Sequence, residues 1–332
     1  AATAAQLRGK PEGAAPAGGG LDTDLAPHQL RQNPGDGEPE PGTPILSRRR
    51  GISLLKSAEQ SVALLWRKAD SGIAYFKPRK DAFIHAMPAF LGRSDVAALK
   101  WVSGYPSNKA LGIPYINGLL ILNEAETGVP IAVMDCVEIT AARTAAAAVS
   151  VFALGAGRLD QGEQGNYHAD MLRALNPNAE IVAYDPNPER ADLLRGRTET
   201  AASVESAIAD ADIVISAAPI VKNPAPSIFP GMLKDKHLLL PIDFDAVASK
   251  AIVDEADIFL TDSVAQFEHY RGIGHFAGWR APQASVGDRV RESGGGDRVV
   301  CCNLGVGALD AAFAAVVNAA AREQHLGLAL PR

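Results

Sequence analysis

Cysteine is scarce in this chain of 332 residues: there are 3, Cys136 and the adjacent Cys301 and Cys302. So few, in odd number, exclude a disulfide scaffold and point to a reducing compartment. No CxxC pair and no metal-spaced cluster of His and Cys occurs, and no apolar run approaches the ~20 residues that span a bilayer. Basic charge is not in excess: 32 Lys and Arg against 38 Asp and Glu leave a net charge of −6. That balance argues against a nucleic-acid partner, which needs a concentrated basic face. What is there is a 47% hydrophobic, 21% charged composition, that of a soluble globular chain long enough for two ordinary domains. With no signal-peptide core in its opening stretch, a cytoplasmic α/β protein is expected.

Residues 1–44 are Ala, Gly, Pro and charge with almost no apolar periodicity, and a disordered leader is expected over 1–50. Ala58–Ala69 has helical spacing, with Val62, Leu65 and Trp66 on one face. From Asp81 the pattern turns to strands; Leu119–Leu122 and Ile131–Met134, joined through Asn123–Gly128, predict a hairpin. Thr140 is read as the N-cap of an Ala-rich helix, Ala141–Ala148, followed by an apolar run Val149–Leu154. Beyond Asn176, strands at Ile181–Tyr184, Ile213–Ser216, Leu238–Ile242 and Ile258–Leu260 alternate with helical pieces at Val204–Ala209 and Ile228–Leu233. Such alternation predicts a parallel sheet covered on both faces. Leu309, Phe313, Val316, Val317 and Ala320 share one face of a last helix, stopped at Gly327. The expected class is therefore α/β, a Rossmann-like domain over 149–299 inserted into an α+β domain made of 51–148 and 300–332.

Ligands of a parallel sheet bind at the carboxyl ends of its strands. Asp185 closes a strand ~20 residues beyond a Gly-bearing segment, the spacing of an acid that holds a ribose and favours NAD over NADP; the alternative is a turn-starting Asp in Asp185-Pro186-Asn187-Pro188. Two segments compete for the phosphate loop, Leu154–Gly157 and Gly162-Glu163-Gln164-Gly165, and neither is a full GxGxxG. Asp160 and Glu163 place like charge where a pyrophosphate would lie. Arg143, read in the first turn of its helix, is a candidate for gripping a carboxylate, and Lys100, at the end of Val96–Leu99, stands out by its position; a surface ion pair is the plainer reading of each. Asp243 follows the strand Leu238–Ile242 and is placed to carry a proton, with Asp245 two positions on as the alternative; a loop acid or helix cap is the plainer reading. His168 could cap a helix or face the nucleotide, but a structural role is the plainer reading, and the three cysteines are read as core.

Taken together, Met87-Pro88-Ala89-Phe90, Leu99–Asn108, Leu122-Asn123 with Thr127-Gly128, Ile139–Ala146, Gly165 with His168, Asp243-Phe244-Asp245, Thr261-Asp262 and Asn303-Leu304-Gly305 through Asp310 resemble the ornithine cyclodeaminase/mu-crystallin family from about Met87 to Leu328. The resemblance implies a homodimer in which the α+β domain binds substrate and forms the interface while the Rossmann-like domain holds NAD, through Asp185 and the loop at Gly162, Gln164 and Gly165. It implies that Lys100 and Arg143 hold the carboxylate of an amino acid, helped by Arg79, and that Asp243 moves protons at the amine. The activity implied is hydride transfer at Cα with an iminium intermediate and ammonia release, as in a cyclodeaminase. An amino-acid dehydrogenase or ketimine reductase of the same family is the alternative. A non-catalytic dimeric binding protein is the alternative of a different class. Two departures stand out. The stretch from Arg143 to the phosphate loop is about ten residues short of a helix plus a strand. And His85 stands where ornithine-specific members carry a glutamate for the distal amine.

Overall fold

Period-two alternation over 83–135 makes strands, and each is paired antiparallel with the next. The computed structural model describes residues 69–92, 94–152, 168–173, 177–187, 190, 198–289 and 296–328. Strands β1 (Ala69–Ser71), β2 (Ala74–Phe76), β3 (Phe83–Leu91), β4 (Val96–Gly104), β5 (Ile116–Glu124) and β6 (Pro130–Asp135) form one sheet in the order β1-β3-β4-β5-β6, with β2 also on β3. The predicted hairpin is β5–β6; Gly128 closes its turn at φ +72°, its N–H donating to the Glu124 carbonyl at 2.9 Å. Ala69 opens β1 and so does not end a helix; the remainder of the expected helix and the leader lie outside the described residues.

Helix α1 spans Val137–Phe152. Its start is set by Asp135, whose Oδ1 accepts the Val137 N–H at 2.8 Å. Thr140 is thus inside the helix and not its cap, and Arg143 lies in the second turn, where the dipole opposes a cation far less. Val149–Phe152, read as part of an apolar run beyond the helix, continue the helix. The candidate loops Leu154–Gly157 and Gly162–Gly165, with Asp160 and Glu163, lie outside the described residues.

Short strands β7 (Val182–Ala183) and β8 (Glu199–Thr200) pair parallel with each other. Helix α2 (Val204–Ile208) follows, with Ser203 and Ser206 forming a capping box. Then β9 (Ile213–Ser216), β10 (His237–Pro241), helix α3 (Lys250–Glu255), β11 (Ile258–Thr261), α4 (Val264–Gly272), β12 (Ala284–Ser285), α5 (Val286–Arg289) and β13 (Arg298–Cys302) complete a parallel sheet in the order β12-β11-β13-β10-β9. β13 occupies the middle of that sheet and straddles the boundary expected at 299/300. The helix expected at Ile228–Leu233 is only a single 3-10 turn at 230–232, and Ile228 bridges to Ala248 instead. Helix α6 (Gly307–Glu323) leaves the parallel sheet and packs on β3 and β4.

All described residues fall within one unit, Leu46–Arg332. Because strands of a parallel sheet are buried on both faces, alternate residues feed two cores. Ile213, Ile215, Leu238 and Leu240 join Leu120, Leu122, Leu309 and Phe313 in one cluster, while Val214, Leu239, Phe259 and Val300 join Phe267 and Phe276 in the other. The first core runs unbroken from the antiparallel sheet through α1 and α6 to the parallel sheet.

Candidate active site

Pairing register puts a lysine into that first core. Lys100 on β4 faces Met87 on β3 and Leu120 on β5, so its side chain leaves on the face that α6 covers, and it is 1% exposed. A buried ammonium must have a partner. Asp310, in the first turn of α6, supplies it: Lys100 Nζ lies 2.7 Å from Oδ2, and the buried Arg143 of α1 brings its Nε to 3.3 Å from Oδ1. Two cations thus converge on one carboxylate, and neither contact has the alignment of a hydrogen bond. Burial, and then Arg143, push the Lys100 ammonium down to about 8, against the pull of Asp310. Such a pair is under-compensated, and a further carboxylate would relieve it. Arg79, the third expected basic residue, stands apart: it is exposed, and its Nη1 donates to the neighbouring Pro78 carbonyl at 3.0 Å.

The carboxyl ends of the parallel strands add three acids. Asp243, past β10, is buried and accepts the Ser216 hydroxyl at 2.7 Å and the Ala218 N–H at 3.0 Å. Burial pushes its carboxyl up to about 6 against those two donors, and Asp245 adds to the rise. Asp245 is built differently. Its Oδ2 accepts the Phe276 N–H at 2.7 Å and its Oδ1 lies 3.8 Å from His275 Nδ1. Burial raises it, but His275 and that N–H more than reverse the effect, leaving it below the usual range. The two acids point to different partners because Phe244 between them has φ +65°. Asp262, past β11, is the third; its field, like those of Asp243 and Asp245, reaches the Cys302 thiol on β13. Burial pushes the pKa of all three thiols up, as it does for inert core cysteines.

His85 lies two residues from Met87 on the same face of β3. Tyr75 of β2 is directly opposite, its ring edge-on at 4.9 Å, and Phe83 tilts against it at 4.4 Å. Tyr75 also stacks on His269 of α4 at 4.0 Å. Burial, then Lys100 and His269, hold the His85 imidazole down at about 4, so it is neutral at physiological pH.

Asp185 sits two residues beyond β7, half-buried, with Oδ1 accepting the Asn187 N–H at 2.8 Å. The turn and the ribose readings of this residue are therefore compatible: one oxygen makes the turn, and the turn does not use Oδ2. His168 is buried in the helical stretch 168–173. Sequence reading passed over Asp310 as a functional group and missed Ser216, which donates to Asp243. An acid at helical position four, facing a lysine through the core, is the signal that Asp310 offered.

Residues 68–291 match the ornithine cyclodeaminase/mu-crystallin family. The chain belongs to that family. Nodulation efficiency protein NfeD of Rhizobium meliloti is 33% identical over 271 residues, 75% of this chain and 83% of that protein. Among solved structures, the Thermococcus litoralis Δ1-pyrroline-2-carboxylate reductase in complex with NADH and L-proline superposes with a TM-score of 0.70 at 21% identity, over 86% of this chain and 97% of that one. An archaeal alanine dehydrogenase dimer with bound NAD gives 0.71 at 22% identity, over 83% and 94%. At such identities the likeness to these family structures is one of fold.

Proposed function

We propose that the chain is an NAD(H)-dependent enzyme acting at Cα of an L-amino acid or its imine. The observation that carries this reading is the convergence of buried Lys100 and Arg143 on Asp310, a ready-made carboxylate grip inside the first core. A substrate carboxylate held by two cations fixes the orientation of its Cα, and positioning of that kind accounts for much of the catalysis in such sites. Asp243, at a pKa of about 6, is ionised at neutral pH yet basic enough to take a proton from the substrate ammonium. Asp185 fits the ribose of a dinucleotide by its place past β7 and by an Oδ2 that its turn does not use. NAD, when bound, supplies the hydride acceptor or donor. Ser216 and the Ala218 N–H keep the Asp243 carboxylate oriented while it exchanges its proton.

The surroundings of His85 favour a substrate without a distal amine. A second ammonium there would meet a neutral imidazole among Tyr75, Phe83 and His269, with Lys100 near, and Asp262, the carboxylate whose field reaches Tyr75, is already bonded to the Leu304 and Gly305 amides. Net hydride transfer, as in a dehydrogenase or imine reductase, is thus placed ahead of cyclodeamination of ornithine. We further propose that two copies associate as a homodimer through the outer face of the antiparallel sheet, where Phe76, Phe90, Trp101, Leu119 and Val133 stand exposed.

The test is a fluorescence titration with NADH and NADPH, followed by a screen of L-amino acids with NAD. Saturable NADH binding, weaker for NADPH, is expected, together with loss of amino-acid turnover but not of NADH binding in Arg143→Ala. Absence of binding by either nucleotide would hand the chain to the non-catalytic alternative.

A further inference from the structure

Arg143 is touched from a second side, by a backbone. Gly305, in the loop between β13 and α6, has φ +89°, and a Cβ built on it would lie 2.1 Å from Arg143 Nη1, 2.7 Å from Nη2 and 2.8 Å from Cζ. The guanidinium therefore rests directly on this glycine, and no other residue type fits there. What holds Gly305 against it comes from the opposite part of the core, the corner where β11 meets α4. Asp262 spends both carboxylate oxygens on consecutive amides of the loop, Oδ1 accepting the Leu304 N–H at 2.9 Å and Oδ2 the Gly305 N–H at 2.6 Å. Gln266, in the first turn of α4, donates from Nε2 to the Gly305 carbonyl at 3.2 Å. Both backbone groups of one glycine are thus fixed by side chains of a single corner.

We propose that Asp262 and Gln266 are positioning residues that hold Arg143 in its carboxylate-gripping posture by clamping Gly305 against its guanidinium; this rests on the carboxylate-site reading above. The clamp reaches the other half of the grip as well, because α6 begins two residues after Gly305 and presents Asp310 in its first turn. A loop needing only two acceptors for its amides could be served without a buried charge. Asp262 is nearly as deeply buried as Asp243, a costly place for a carboxylate. Its charge bears on Arg143, so the same group that fixes the glycine also attracts the cation resting on it. Arg143 is then bounded by Gly305 on one side and Asp310 on another, and its direction toward a ligand is set before the ligand arrives.

The test compares Asp262→Asn, Gln266→Leu and Gly305→Ala with wild type, using L-alanine, L-proline and NADH as probes. Protein labelled with 15N-arginine reports Arg143 directly through its Nε–Hε resonance, assigned by its loss in Arg143→Lys. Asp262→Asn turns an amide hydrogen toward one of the two loop N–H groups, and Gly305→Ala inserts a methyl into the guanidinium. Each is expected to move the Arg143 resonance and to raise KM for the amino acid about tenfold or more, with kcat within about threefold and NADH affinity unchanged. The double variant Asp262→Asn/Gly305→Ala should be no worse than the worse of its two singles, because both act through one contact. If Asp262→Asn does not fold, Gln266→Leu, which removes one bond, carries the same comparison. Folded variants with lowered Tm but an unmoved Arg143 resonance and unchanged KM would overturn the clamp. A moved resonance in a protein that neither binds nor turns over the probes would leave the clamp standing and instead remove the functional reading on which its purpose rests.

Discussion

Two residues with displaced titrations give the site its pH behaviour. Asp243 must be ionised to accept a proton, so kcat/KM is expected to fall as pH drops through about 6. Lys100 must be charged to grip a carboxylate, so kcat/KM is expected to fall again as pH rises through about 8. A pH–rate profile flat from 5 to 9 would sink both assignments. Stability follows with its own sign. The folded-state pKa of Asp243 lies above its ordinary value of 3.8, so the folded state binds the proton more tightly, and stability declines as pH rises from 3.8 through about 6. The rise corresponds to about 3 kcal/mol of cost at neutral pH. Asp243→Asn keeps the shape and can still accept from Ala218 and donate to Ser216. Urea melts at pH 7.5 should show it about 1–3 kcal/mol more stable than wild type, while turnover drops by at least about a hundredfold. Lys100, Arg143 and Asp243 could be named from sequence because a lysine among apolar residues, an arginine in an Ala-rich helix and an acid ending a buried strand are each out of place. Asp310 could not be named so easily: an acid near a helix N-terminus is ordinary, and only the fold brings it to Lys100. Asp262 and Gly305 are 43 positions apart, joined by a carboxylate-to-amide bond that no local pattern announces.

Among the elements, the antiparallel strands were legible and the ends of the helices were not. Alternation over β3 to β6 fixes both pairing and face, and β5–β6 carries a turn glycine besides. The approach of β4 and β5 depends on Gly118, opposite Val102: a Cβ there would lie 2.1 Å from the Trp101 carbonyl oxygen, 2.8 Å from Val102 Cα and 2.9 Å from Cys136 Sγ. Two of those neighbours are backbone and cannot turn aside. Gly118→Ala is therefore expected to cost about 3 kcal/mol or to prevent folding, whereas Gly231→Ala, with open space around it, should melt within about 0.5 kcal/mol of wild type. Equal melting temperatures for the two would show that the strands can separate without penalty. Helix α1 was cut short in the sequence because a short apolar run, Val149–Phe152, has no periodicity that separates a strand from the end of a helix. β13 was overlooked for the converse reason. It begins two residues after the glycines of 294–296, whose loop signal masked Arg298–Cys302, and cysteines mark no element by type. The misplaced start at Thr140 had a consequence for function, since it made Arg143 an anomaly of the first turn; with Asp135 setting the start, the helix presents Arg143 to α6 and the loop at Gly305.

At the scale of the whole molecule, one sheet has a covered face and an exposed apolar one. The inner face of β3–β5 lies on α6 and carries Met87, Lys100 and Leu120; the outer face carries Trp101 directly opposite Leu119, at 46% and 53% exposed, with Val133 of β6 at 56%. Phe76 packs its ring 5.7 Å from Trp101, which widens this apolar surface toward β2. Residues of the two faces alternate along β4, so Lys100 and Trp101 are neighbours in the chain and the grip projects from the same strand as the outer face. If the outer face is the homodimer contact, Trp101→Glu with Leu119→Lys places charges where apolar side chains would meet, and light scattering should find half the wild-type mass. The melting temperature of wild type, not of the variant, should then rise with protein concentration. The carboxylate grip should loosen with dissociation, raising KM for the amino acid, while NADH affinity stays near its wild-type value because Asp185 belongs to the β7 region and shares no strand with the interface. A monomeric wild type, or a variant that keeps both its mass and its KM, would remove the outer face from the interface and leave its exposed aromatics to some other partner.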